Sequence, residues 1–142
     1  MKCKHYMLSA PTVVLDTAPL SEALGIMIRK HMQDLMVVNA AGQFVGTVKS
    51  FMFSKMLLPA EPQLPDDAEN ESAEDVDNRF IPYLHRKVAD FAVSHPVVSP
   101  EAPLSEALVL LSEGYIRLPV VDEHGKLVGA LSSLTILRRF RF

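Results

Sequence analysis

The 142-residue chain has no tryptophan, one cysteine (Cys3), and no apolar run approaching the ~18 residues that a membrane-spanning helix needs. A single cysteine excludes an internal disulfide framework and suits a reducing compartment. The first residues also lack the apolar stretch of a secretion signal. We therefore expect a cytoplasmic protein that does not enter a membrane.

The motifs that usually carry catalysis are missing as well. The chain has no Gly-rich phosphate loop ending in lysine and no Gly-x-Ser-x-Gly elbow around Ser132. Its five histidines are scattered without the paired spacing of a zinc site. Carboxylates outside one acidic stretch are isolated, with no partner for acid–base work. These absences favour a protein without enzymatic activity and without a bound metal.

The charges are distributed unevenly along the chain. Eight acidic residues and no basic ones lie between Glu61 and Asp77, although the net charge of the whole chain is only −3. The remainder has nine acidic and fourteen basic residues, a net charge of +5. One interpretation is a solvated linker. The alternative is a flap that covers a basic groove and competes with an anionic ligand.

An internal repeat determines the predicted architecture. The sequence Ala-Pro-Leu-Ser-Glu-Ala-Leu occurs at residues 18–24 and again at 102–108. Residues 37–46 then match residues 120–129, including two glycines four positions apart in each copy. Seven identical residues followed by paired glycines indicate a tandem duplication.

Each copy shows the same order of structural signals. A β-branched run precedes a proline suited to a helix start, an apolar stripe at helical spacing, a hairpin and a closing helix. We predict strands at 12–15, 35–38, 44–48, 97–99, 118–121 and 127–131, and closing helices at 51–58 and 134–140. Each β-α-β-β-α unit has an apolar face that it cannot bury alone, so the two units should pack sheet to sheet.

The predicted boundaries follow from composition. Residues 1–58 form the first unit, residues 59–78 an acidic, proline-rich flexible linker, and residues 79–142 the second unit. A short helix within residues 80–94 should lead into the second unit. Residues 3–8 should do the same for the first, with Tyr6 in the role of Phe91.

Three motifs of the second copy, at residues 95–108, 115–122 and 125–129, closely resemble the cystathionine-β-synthase-type (CBS) domain, and the first copy resembles it at 18–24 and 37–46. The resemblance implies an α/β (α+β) fold in which two units pack about a pseudo-two-fold axis. It also implies a non-catalytic regulatory module that forms homodimers and binds adenine nucleotides in clefts between the units.

In the family, a nucleotide is held by a run of Gly, two apolar residues, a hydroxyl residue, two variable residues and Asp. In the second copy Ser132 keeps the hydroxyl but Thr135 replaces the Asp. In the first copy Lys49 and Met52 stand at these two positions. Losing a hydrogen bond to a charged group costs about 1.5–3 kcal/mol, so usual nucleotide binding is weakened at both sites. Lys49 can instead attract phosphate as a point charge.

The predicted ligand-binding residues fall into two sets. The better-preserved set comprises Val98, Ser99, Arg117, Leu118, Pro119, Ser132 and Thr135, and the degenerate set comprises Lys49 and Met36. No cofactor is assigned, and AMP, ADP, ATP and S-adenosylmethionine are the candidate regulatory ligands.

Two other hypotheses remain open. One is a ligand-free dimerisation and interaction scaffold, and the other is a cleft in which Lys49 selects a different phosphate or carboxylate. Besides a second copy, we expect an unidentified regulated protein as partner. The basic and aromatic tail at residues 138–142 allows nucleic-acid docking, but three arginines supply little phosphate affinity. We favour a solvated helix end and expect no nucleic-acid binding.

Overall fold

A computed structural model describes residues 1–59 and 70–142. In the first unit, strand β1 (Val13–Leu15) pairs in parallel with β2 (Asp34–Val38), and β2 pairs antiparallel with β3 (Phe44–Lys49). Helix α1 (Leu20–Lys30) connects β1 to β2, and α2 (Phe51–Leu57) follows β3. The predicted β-α-β-β-α order is therefore present in this unit. None of the helices in the described ranges reaches the length and apolarity that a bilayer crossing requires.

Helix α3 (Ala73–Phe80) begins inside the segment that the sequence indicated as linker. Ser72 caps it, because the Asp75 amide donates to Ser72 Oγ (3.2 Å) and the Ser72 amide donates to the Asp75 carboxylate (3.0 Å). The hydrogen bond from the Ser72 amide, followed by that from the Ser72 side chain, lowers the pKa of the Asp75 carboxyl. Arg79 Nε donates to the Leu57 carbonyl oxygen (2.8 Å), so α3 is docked on α2. Residues 60–69 of the predicted linker lie outside the described residues, and its boundaries stay a prediction.

The second unit contains helix α4 (Leu104–Ser112), strands β4 (Leu118–Val121) and β5 (Leu127–Leu131) in an antiparallel pair, and helix α5 (Ser133–Leu137). The strand predicted at 97–99 is reduced to one parallel bridge between Val98 and Val120. Prolines at 96 and 100 flank the bridge and have no amide hydrogen to extend a ladder. Helix α5 ends at Leu137, three residues before the predicted end.

The two units exchange their leading segments. Val88 and Phe91 pack in the apolar cluster of the first unit, although they precede the second unit in the chain. Cys3 packs in the cluster of the second unit, with Tyr6 against its edge. The helix predicted within 80–94 is two single 3-10 turns, Ile81–Tyr83 and Val88–Asp90, and Cys3–His5 forms the matching turn. Tyr6 and Phe91 thus occupy equivalent places. Phe91 packs in the core of the first unit, and Tyr6 packs against the core of the second.

Reciprocal backbone hydrogen bonds anchor these exchanged segments. Thr47 and Val93 form two backbone hydrogen bonds, in which each amide donates to the other residue's carbonyl oxygen (2.9 and 3.0 Å). Ala130 and Leu8 form the equivalent two hydrogen bonds (3.0 and 2.8 Å). Gly46 and Gly129, the second glycine of each repeat, allow the two backbones to come this close because they have no Cβ. A Cβ on Gly46 would lie 2.7 Å from the Val93 carbonyl oxygen, and one on Gly129 would lie 2.5 Å from Met7 Sδ.

The hairpin turns of the two units meet around a pseudo-two-fold axis. The Phe44 amide donates to the Gly125 carbonyl oxygen (2.9 Å), and the Leu127 amide donates to the Gly42 carbonyl oxygen (3.0 Å). Because each bond joins repeat-equivalent positions in opposite directions, the contact is self-complementary. Gly42 and Gly125 both have positive φ, 80° and 82°, as their turns require. The predicted α+β fold is confirmed.

One face of the first sheet is directed at the second unit. Asp34 pairs with Lys49 and Met36 with Thr47 across β2 and β3, which places these side chains on one face. Leu35 and its neighbours on the other face belong to the first unit's own cluster. On this face Asp34 Oδ1 lies 3.7 Å from Nη1 of Arg117, the residue that precedes β4. This face therefore contributes Asp34 and Lys49 to a cleft between the units.

Candidate functional site

The larger cleft between the units lies beside Lys49 and has a volume of about 320 Å³. We call it the Lys49 cleft. Both units contribute to its lining, which consists of Gln33, Asp34, Lys49, Ser50, Phe51, His95, Gly114, Tyr115 and Ile116. A cavity of this size is at the lower end of the range typical of small-molecule sites.

The Lys49 cleft combines charge with an aromatic wall. Lys49 Nζ lies 6.0 Å from the centroid of the Tyr115 ring, and His95 packs edge-on against the same ring at 5.2 Å between centroids. The half-buried Ser50 hydroxyl is oriented by donating to Gln33 Oε1 at 2.7 Å. A planar ring can pack against the aromatic side chains while the ammonium attracts an anionic group.

The smaller cleft, which we call the Ser132 cleft, has a volume of about 150 Å³ and lies on the second unit. Its lining is Leu8, Arg117, Ala130, Leu131, Ser132, Leu134, Thr135 and Arg138. The structure therefore brings together three members of the predicted better-preserved set, namely Arg117, Ser132 and Thr135.

The two hydroxyls of the Ser132 cleft are bonded to each other's backbone at the start of α5. The Thr135 amide donates to Ser132 Oγ (3.2 Å), and the Ser132 amide donates to Thr135 Oγ1 (2.9 Å). Thr135 Oγ1 also donates to the Ser132 carbonyl oxygen (2.9 Å). This capping box uses the Thr135 hydroxyl proton, whereas Ser132 Oγ retains its own proton for a ligand.

An ion pair connects the two clefts. Arg117 Nη1 lies 3.7 Å from Asp34 Oδ1, and the side chains are 30% and 11% exposed. Asp34 lines the Lys49 cleft and Arg117 lines the Ser132 cleft. Each residue stands three positions before the matching Val-Val pair of its repeat, so the pair joins equivalent positions with opposite charge.

The other predicted site residues lie elsewhere. Val98 and Leu118 are buried in the second unit's apolar cluster, and Pro119 is almost fully buried on β4. Ser99 is exposed and its Oγ accepts from the Glu101 amide (3.2 Å). Met36, 3% exposed, lies on the seam face and not among the residues that line the Lys49 cleft.

Several lining residues were missed from sequence. His95 and Tyr115 belong to the second unit but line the cleft of Lys49, and only the packing of the units reveals this. Arg138 follows Thr135 by three residues, the spacing of neighbours on a helix face, so its position was accessible to sequence reasoning. Within the described residues, no three His, Cys, Asp or Glu side chains are grouped as a metal site requires.

Comparison with known proteins identifies similar folds. A CBS domain pair/ACT domain protein from Thermotoga maritima has 24% sequence identity and a TM-score of 0.68, covering 98% of this chain and 95% of that one. CBSX2 from Arabidopsis thaliana, solved in complex with AMP, has 25% identity and a TM-score of 0.71, covering 97% and 94%. The CBS domain pair of protein MJ0100, in complex with 5′-methylthioadenosine and S-adenosyl-L-methionine, has 20% identity and a TM-score of 0.66, covering 99% and 100%.

The search of curated proteins finds no match. The family profile of the CBS domain matches this chain twice, at residues 3–51 and 88–141, and these two segments coincide with the two copies of the repeat. The resemblance found in the sequence is thereby confirmed. The chain belongs to the CBS domain family and carries a tandem pair of its domains.

Proposed function

We propose that this protein is a non-catalytic regulatory module that binds a small anionic ligand, of the adenine nucleotide class, between its two CBS units. The observation that carries the proposal is the Lys49 cleft, which places an ammonium group beside the Tyr115 ring in a cavity lined by both units. The AMP complex of CBSX2 and the adenosine-derived ligands of MJ0100 support this ligand class.

Lys49 and the aromatic wall would divide the recognition of such a ligand. Lys49 would attract the phosphate, and the side chains of Tyr115 and His95 would pack against the base. The ribose would lack the family's carboxylate, because Met52 stands at the position of the aspartate, and its side chain packs against the first unit's apolar cluster. We therefore expect weaker binding than a site with the aspartate would give, by about tenfold or more.

Ligand binding would act by favouring one relative arrangement of the units. A molecule in the Lys49 cleft contacts elements of both units, so it stabilises the arrangement that closes around it. A regulated protein would recognise that arrangement. The helices of a homodimer would cover exposed apolar side chains such as Ile28, Phe51 and Leu134, which are 74%, 57% and 72% exposed.

The alternative function is a ligand-free interaction scaffold. The observation that favours it is the internal use of the Ser132 cleft's polar groups: Ser132 and Thr135 form a capping box, and Arg117 is paired with Asp34. Such a protein would retain the fold for dimerisation or partner binding alone.

Isothermal titration with AMP, ADP, ATP and S-adenosylmethionine separates the two functions. We expect binding of at least one ligand, weakened about tenfold by Lys49→Gln because the phosphate loses its ammonium partner. Lys30→Gln, which removes a lysine from the outer face of α1, is the matched control and should leave the affinity unchanged. No heat from any of the four at millimolar concentration would favour the scaffold.

A further inference from the structure

A second cavity of about 240 Å³ adjoins the Ser132 cleft on the second unit. Leu8, Thr135 and Arg138 line both cavities, and the second adds His5, Tyr6, Met7 and Arg139. We call the continuous surface of the two cavities the arginine groove. It extends the cleft along α5 toward the exchanged N-terminal segment.

The local sequence explains why these groups share one surface. Ser132, Thr135 and Arg138 follow one another at intervals of three residues, and Arg139 lies four beyond Thr135. Residues three and four apart are neighbours on one face of a helix and the turn that continues it. The backbone continues the turn past Leu137, since the Arg138 amide donates to the Leu134 carbonyl oxygen (3.0 Å) and the Arg139 amide to that of Ile136 (3.2 Å).

Among the residues that the structure describes, the lining of the groove is strongly basic and contains no acidic side chain. Arg117 stands at one end, Arg138 borders both cavities, and Arg139 lies over the Tyr6 ring with its Cζ 4.9 Å from the centroid. No acidic residue lines either cavity, and neither Arg138 nor Arg139 has an ion-pair partner among the described residues. Only Arg117 is paired, at 3.7 Å, with Asp34.

We propose that the arginine groove binds a linear chain of three or more phosphates, with Arg117, Arg138 and Arg139 each contacting a different phosphate. Guanidinium groups present paired donors that match phosphate oxygens. A monophosphate reaches only part of the row, so a longer chain gains affinity with each added contact. This site is separate from the Lys49 cleft of the proposed function, so the groove adds a second ligand site and names its class of ligand.

In the part of the chain that the structure describes, the first unit has no equivalent row of arginines and therefore supplies a control. By the alignment of the repeats, Lys49, Met52, Lys55 and Met56 stand where the second unit has Ser132, Thr135, Arg138 and Arg139. Met52 and Met56 pack against the first unit's apolar cluster. Lys55 is exposed and lies 5.7 Å from the centroid of the Phe51 ring.

Titration of the full chain with inorganic tripolyphosphate tests the proposal. We expect R138Q/R139Q to weaken binding by about tenfold or more, and K55Q, which removes one positive charge at the position equivalent to Arg138, to change it by less than about twofold. If the double variant melts early, R138Q alone serves, because Arg138 makes no side-chain hydrogen bond or ion pair in the described structure and should still weaken binding severalfold. Absence of tripolyphosphate binding, or an equal loss of affinity in R138Q/R139Q and K55Q, would overturn the proposal.

Parallel titrations with AMP and ATP distinguish this proposal from the proposed function and identify the source of the phosphates. AMP binding without tripolyphosphate binding leaves the nucleotide function standing and rejects the groove. Tripolyphosphate binding without any nucleotide binding supports the groove and rejects the nucleotide ligand. If R138Q weakens ATP binding more than it weakens AMP binding, the phosphates in the groove belong to the phosphate tail of a nucleotide. A single-stranded oligonucleotide that binds more tightly than tripolyphosphate would replace the small ligand with a nucleic acid and overturn the proposal.

Discussion

Arg117 Nη1 and Asp34 Oδ1 lie 3.7 Å apart and belong to repeat-equivalent positions, so the duplication has placed opposite charges where a symmetric repeat would place identical ones. Two identical charges at this separation would repel each other across the seam. The pair therefore stabilises the arrangement of the units and at the same time connects the linings of the two clefts.

The two halves of this ion pair should respond unequally to substitution. Arg117→Met leaves the Asp34 carboxylate, 11% exposed, without its partner, and we expect a loss of about 1–2 kcal/mol in the free energy of unfolding. Asp34→Asn leaves a guanidinium that is 30% exposed and more easily hydrated, so its cost should stay below about 1 kcal/mol. Urea denaturation measures both. Equal costs, or a larger cost for Asp34→Asn, would contradict this account.

The glycines at 46 and 129 should be required for segment exchange. Gly46→Ala would press a Cβ to 2.7 Å from the Val93 carbonyl oxygen, and Gly129→Ala to 2.9 Å from that of Leu8. Displacing these backbones should cost about 1–3 kcal/mol at each site, measured by thermal or urea unfolding.

Gly25 supplies the matched control for these glycine substitutions. It lies inside α1, and a Cβ there would meet only the flexible end of Arg29, at 3.1 Å. Gly25→Ala should stabilise the protein by about 0.5–1 kcal/mol. A comparable loss in all three variants would show that the close approach to the exchanged segments is not the cause.

Acid should loosen the N-terminal segment. Glu101 accepts hydrogen bonds from Lys2 Nζ (2.6 Å) and Lys4 Nζ (2.8 Å), which lower its pKa from 4.5 to about 2. Because the folded pKa is depressed, this contribution to stability is complete above pH 4.5 and is lost as the pH falls toward about 2. The protection factors of the amides of residues 3–8, which correct for the intrinsic pH dependence of amide exchange, should therefore fall over this interval.

Glu101→Gln tests the origin of this acid sensitivity. The amide cannot ionise, so the variant should lack the contribution at every pH and show a flatter dependence between pH 4.5 and about 2. Glu113→Gln, in the loop after α4 and away from both lysines, should keep the wild-type dependence. Identical curves for wild type and Glu101→Gln would remove Glu101 as the responsible group.

Restoring the family's carboxylate should increase the affinity for ribose. Thr135→Asp returns the aspartate of the nucleotide motif to a residue that lines the Ser132 cleft. We expect AMP to bind in the Ser132 cleft, separately from the Lys49 cleft, about tenfold more tightly than in the wild type, since a carboxylate hydrogen bond to ribose hydroxyls adds about 1.5–3 kcal/mol. Calorimetry with AMP and with inorganic phosphate measures the change, and the phosphate affinity should not rise. A gain for both ligands, or for neither, would show that Thr135 does not face the ribose.

Much of the local structure could be predicted. The hairpins at Gly42 and Gly125, the prolines that immediately precede α1 and α4, and the apolar stripes of these helices depend on residues close in the chain, and their patterns predict the elements well. The strand at 97–99 and the length of α5 were predicted less accurately. Pro96 and Pro100 limit the strand at 97–99 to one bridge. Their effect is local, but the prediction gave more weight to the β-branched residues between them.

The site was predicted only in part. Ser132, Thr135 and Arg117 do share a cavity. The capping box between Ser132 and Thr135 has the usual spacing of three residues, but its last residue is Thr where Glu or Gln is normal. The sequence therefore indicated it only weakly. The placement of Met36 on the seam, and of His95 and Tyr115 against Lys49, depends on how the two units are docked.

The sequence by itself determined the duplication, the order of elements in each unit and the family. These follow from short-range patterns, in which hydrophobic period, turn residues and caps act over a few positions. Only the tertiary structure decided that Cys3 belongs to the core of the second unit and Val88 to that of the first, that Asp34 neutralises Arg117, and that Arg138 borders both halves of one groove. Except for the helical spacing that places Arg138, these contacts join residues far apart in the chain, from about 35 to more than 120 positions. Each repeat offers an equivalent surface, and packing of the complete pair selects which leading segment covers which core.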